Sequence, residues 1–93
     1  MNFTIPKKIT VGGQEINVMF KPQEDMDQLG RVNVSKGYLN INKDQTETSK
    51  KNTFIHEAVH AILDTAGYND LSGDETFVST FAGFVMEIIN SIE

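Results

Sequence analysis

The chain predicts an α+β fold in which a small antiparallel sheet of two hairpins is followed by two helices. Three observations carry this. Residues 8–42 fall into short apolar runs separated by glycine-bearing turns, residues 44–66 and 72–91 keep a helical apolar period without proline, and each helical stretch opens on capping-box spacing. Ninety-three residues suit one domain, 1–93, with a single modest core.

The first hairpin is Ile9-Thr10-Val11, the turn Gly12-Gly13, and Ile16-Asn17-Val18-Met19-Phe20. Lys21-Pro22 ends it, and the polar stretch from Gln23 to Gln28 reads as a loop or short helical turn. Residues 29–34, the turn Ser35-Lys36-Gly37 and residues 38–42 form a second hairpin. Leu39 and Ile41 point one way in it, and Tyr38, Asn40 and Asn42 the other.

Asp44-Gln45-Thr46-Glu47 opens a helix that runs to Ala66, with Gly67 as its stop. Phe54, Ile55, Ala58, Val59, Ile62 and Leu63 give it a buried stripe. Ser72-Gly73-Asp74-Glu75 opens the last helix, to about Ser91. Its apolar residues, among them Phe77, Phe81, Phe84, Val85 and Ile88, cover more than one stripe. Either this helix is central to the fold, or one flank pairs with a second copy in a homo-oligomer.

Composition narrows the function classes. A net charge of −5 with a single arginine, Arg31, argues against nucleic acid, whose phosphates need a cationic surface. No cysteine is present, so disulfides and thiolate metal sites are excluded. No segment approaches membrane-spanning length and the N-terminus does not read as a leader, so a cytoplasmic location is expected.

Both histidines lie in His56-Glu57-Ala58-Val59-His60. Four residues apart on a helix, two imidazoles share a face and can converge on one metal ion, with Glu57 beside the ion as a general base. By chance this pattern arises in roughly one chain of this length in several hundred. The uncharged flanks Thr53-Phe54-Ile55 and Ala61-Ile62-Leu63 place it at the border of a core. The bland alternatives are histidines that merely pack, and a metal held without catalysis.

A catalytic zinc usually takes three protein ligands and an open position. With no further histidine or cysteine, the third must be a carboxylate: Asp64, Asp70, Asp74, Glu75 or Glu87. Asp64 sits one turn beyond His60, where three successive turns cannot all reach one ion without strain. Glu75 is preferred to Asp74 for its longer arm. It has a register problem, because an antiparallel helix starting near Ala66 puts Glu75 about 9 Å along the axis from His60. The connection must fold back or the helices must cross steeply.

These residues resemble the gluzincin branch of zincin metallopeptidases, and among them small phage and mobile-element zincins and the ImmA/IrrE-type peptidase core. The likeness spans roughly residues 29–91: strands, then Thr53 to Ile62, then Asp74-Glu75 before Phe81-Ala82. It implies Zn2+ held by His56, His60 and Glu75, with Glu57 as base, acting on a peptide or protein substrate aligned on an edge strand at 38–42. Such chemistry also needs an oxyanion donor, for which Tyr68 and Tyr38 are the tyrosines to hand. The rival readings are a non-catalytic zincin-fold binding protein with zinc as a staple, and a latent peptidase whose groove is blocked.

Overall fold

The computed structural model describes residues 3–92. Four strands, β1 (Lys8–Val11), β2 (Gln14–Lys21), β3 (Gly30–Asn33) and β4 (Tyr38–Asn42), precede three helices, α1 (Glu47–Ala66), α2 (Asn69–Ser72) and α3 (Glu75–Ser91). The α+β class and both hairpins are present. Gly12 and Gly13 turn the first hairpin at φ 57° and 82°, the paired left-handed values of a type I′ turn.

The sheet is mixed rather than antiparallel. Its order is β1-β2-β4-β3, antiparallel within each hairpin, but β2 and β4 pair in parallel, with Val18 opposite Leu39 and Phe20 opposite Ile41. The reason is competition for the interior. Leu39 and Ile41 are fully buried and lie beside buried Ile16 and Val18, whereas β3 offers Gly30, Arg31 and Asn33 and takes the edge. To place β4 inside, the chain leaves β2, passes through the 3-10 turn Gln23–Asp25 to the far edge, and returns. The strand at 38–42 is therefore central, and the edge strand of the second hairpin is β3.

The helix boundaries follow local chemistry. Thr46, not Asp44, caps α1: its Oγ1 accepts the Ser49 N–H at 3.1 Å, while the Asp44 carboxylate accepts the Gln23 N–H at 2.8 Å and pins the crossing segment. At the other end Gly67 takes φ 87°, and the N–H groups of Gly67 and Tyr68 return to the carbonyls of Asp64 and Leu63. Asp74 rather than Ser72 caps α3, accepting the Phe77 N–H at 3.1 Å.

The core lies between the sheet and two helices. Ile16, Val18, Leu39 and Ile41 meet Phe54, Ile55, Val59 and Ala61 of α1 and Val78 and Ala82 of α3. The second apolar stripe of α3 is uncovered, with Phe81, Phe84, Ile88 and Ile92 at 51%, 62%, 64% and 50% exposure. No helix among the described residues is long and apolar enough to cross a membrane.

Gln45 fastens sheet to helix. Its Nε2 donates to the carbonyls of Asn42 (2.6 Å) and Leu29 (3.2 Å), and its Oε1 accepts from Ser49 Oγ (2.6 Å) and Thr53 Oγ1 (3.1 Å). One amide thus sets the start of β3 against the first turns of α1.

Candidate metal centre

The helical spacing of His56 and His60 brings their ring centroids to 5.0 Å. Glu57, one residue round from His56, faces the sheet and is buried at 8% exposure. His56, Glu57 and His60 each offer a ligand atom, and these atoms lie within 4.8 Å of one another.

Glu75, the first residue of α3, closes the group from the other side. Its carboxylate oxygens stand 3.0 Å from His56 Nε2 and 2.9 Å from His60 Nε2. The register problem is solved by folding back: Ser72 and Gly73 donate their N–H groups to the carbonyls of Tyr68 and Asn69, coiling the connection into α2. That helical turn returns the chain to the level of the histidines before α3 begins. Gly73, with its N–H so engaged, and Asp74 lead straight into the new cap.

The same turn supplies a partner for His60. Ser72 is buried, and its Oγ lies 3.1 Å from His60 Nδ1. When Nδ1–H donates to Ser72, the lone pair on Nε2 is directed at the space shared with Glu75. Ser72 looks like a helix cap in the sequence, and only the fold shows that it serves the imidazole.

The donor set suits a small divalent cation. Two imidazole nitrogens and a carboxylate are ordinary zinc ligands, and at zinc–ligand distances of about 2.0–2.1 Å tetrahedral ligand atoms stand roughly 3.3 Å apart. The observed separations of 2.9 and 3.0 Å need open by only a few tenths of an ångström to admit an ion.

Burial pushes the Glu57 carboxyl above its ordinary range. His60 and His56 pull it back in part, and Glu75 adds to the rise.

A cleft of about 590 Å3 runs over this group, between β3 and α1. Leu29, Gly30, Arg31 and Val32 form one wall, with Asn52, His56 and His60 on the other. Gly30 packs directly on Glu57: a Cβ there would lie 2.5 Å from Thr53 Cγ2 and 2.9 Å from Glu57 Cγ. Neither Gly30 nor Gln45 carries a sequence signal for this placement.

The remaining candidates separate cleanly. Asp74 is committed to capping α3. Asp64 lines the cleft wall one turn past His60, and Asp70 is exposed in α2. Glu87 lies twelve residues along α3 from Glu75, about 18 Å at 1.5 Å per residue. Tyr38 is half-buried on β4 and Tyr68 is 59% exposed beside α2, and neither lines the cleft.

A peptidase family described as the IrrE N-terminal-like domain matches residues 12–83, well over half of the chain. No curated protein and no solved structure gives a significant match.

Proposed function

This chain belongs to the IrrE N-terminal-like family of peptidases, and we propose from that premise that it is a zinc-dependent peptidase acting on extended peptide segments. One observation carries the reading: both Nε2 atoms converge on the carboxylate of Glu75 while a buried carboxyl, Glu57, stands beside them.

His56, His60 and Glu75 hold the ion, and Ser72 fixes the tautomer and orientation of His60. Bound there, zinc would supply Lewis acidity. Glu57 would take a proton from the attacking water and deliver it to the leaving amine. The free edge of β3 aligns the substrate backbone by strand addition. Tyr68 and Tyr38 lie outside the cleft, and Arg31, the cation in its wall, is paired with the Asp27 carboxylate at 3.5 Å.

Digestion of a peptide library by zinc-loaded protein, with a chelator and Glu57→Gln as controls, tests this. Cleavage that requires both zinc and Glu57 is expected. Protein that takes up no stoichiometric metal on titration overturns the reading.

A second reading rests on the uncovered α3 stripe at Phe81, Phe84 and Ile88, which favours a zincin-fold protein that works by engaging a partner or a second copy. Light scattering across concentration distinguishes a self-pairing chain from a monomer.

A further inference from the structure

A second cleft, of about 460 Å3, lies between α1 and α3. His56 and Asn52 border both this cleft and the one over the metal centre, so the two clefts meet across one row of α1. On the α3 side, Ser79, Gly83 and Glu87 follow Glu75 at successive intervals of four, forming one row of the helix.

The lining is graded. Ala82, Gly83 and Met86 form an apolar strip among the polar Asn52, Ser79 and Asn90, and Glu87 brings a carboxylate. No lysine or arginine lines the cleft, and Glu87 enters no ion pair among the described residues. At Gly83 the floor is open, since a Cβ built there meets no heavy atom within 4 Å. An apolar strip beside a carboxylate that no cation neutralises is complementary to a long side chain with a methylene stem and a cationic head.

We propose that the cleft between α1 and α3 binds a lysine or arginine side chain of the substrate, its stem over Ala82, Gly83 and Met86 and its charge at Glu87. The assignment rests on the peptidase reading above and names the substrate class of that site.

Two readouts test this on the zinc-loaded chain. Cleavage-site profiles of a mixed peptide library are compared for the wild type, Glu87→Gln, Glu87→Lys and Gly83→Leu. In parallel, fluorescence anisotropy measures binding of short alanine-based peptides, carrying a single Lys, Gln or Glu, to Glu57→Gln protein with and without each second substitution. The lysine peptide binds about fivefold better than its glutamine counterpart, an advantage that fades as salt rises and vanishes in Glu87→Gln. Glu87→Lys inverts the preference toward glutamate, and Gly83→Leu removes it by filling the floor. Selectivity unchanged by the Glu87 substitutions overturns the assignment, even where cleavage itself persists. Lysine-selective binding that depends on Glu87, in a protein that cleaves nothing, upholds the cleft and removes the peptidase reading instead.

Discussion

Gly30 offers the sharpest perturbation of the candidate site, because it touches Glu57 without belonging to the metal centre. In Gly30→Ala the new methyl lies 2.5 Å from Thr53 Cγ2, 2.9 Å from Glu57 Cγ and 3.3 Å from Glu57 Oε2. Carbon atoms pack best at about 3.5–4.0 Å, so Thr53 must retreat by roughly 1 Å and Glu57 by roughly 0.6 Å. Overpacking of this kind costs about 1–3 kcal/mol. Removing a strand glycine that does not have positive φ returns about 0.5–1 kcal/mol. The net loss is up to about 2.5 kcal/mol, a fall in Tm of up to roughly 20 °C. Activity is expected to fall further, because displacing Glu57, the proposed base, by a large part of an ångström costs up to about 100-fold in kcat/KM. Thermal unfolding, zinc content and peptide turnover measured on one preparation separate these effects. Adding Thr53→Ser removes the closer clash and keeps the hydroxyl that donates to Gln45, so the double variant recovers stability while turnover stays low. A Gly30→Ala protein that binds zinc and turns over peptide at the wild-type rate refutes the packing argument.

Ser72→Ala leaves His60 Nδ1 without its partner and is expected to weaken zinc binding about 10–100-fold, read by competition with a chromogenic chelator. Glu57→Gln keeps zinc and abolishes turnover, whereas His60→Ala loses both. In metal-free protein the Glu57 carboxyl is held above its unfolded value by burial, so its contribution to stability is full below the unfolded pKa and is lost as pH rises through the folded one. Urea unfolding of metal-free protein between pH 4 and 7 should therefore show Glu57→Gln gaining on the wild type as pH rises, and a constant difference would contradict the burial argument. Gln45→Ala strands the Ser49 and Thr53 hydroxyls and frees the Leu29 carbonyl, with an expected loss of about 1–3 kcal/mol in chemical denaturation.

What could be read from the sequence was local. The His56–His60 spacing, the stop at Gly67 and the alternation of Leu39 and Ile41 depend on residues within a few positions of one another, and all three appear as expected. The parallel pairing of β2 with β4 could not be read this way, since it turns on which of two distant strands has more to bury. The reach of Glu75 likewise depended on α2, a four-residue turn with no apolar period of its own. Ser72 and Asp44 both carried capping signals, and tertiary partners claimed them instead: His60 for the first and the Gln23 amide for the second. Gly30 is informative only as missing volume beside Glu57, which no one-dimensional pattern records. The displacement of 38–42 from the edge followed from the same pairing, and it moved the expected substrate wall to β3.

In the proposed centre three side chains hold one ion, with an open position beside Glu57. A crystal structure of the zinc-loaded protein, with the ion located by anomalous scattering at the zinc edge, tests this most directly. The account predicts one zinc with His56 Nε2, His60 Nε2 and a Glu75 oxygen at about 2.0–2.2 Å, an open fourth position facing the β3 cleft, and Glu57 off the metal. An ion bound elsewhere, or one closed by Glu57 as a fourth protein ligand, would contradict it.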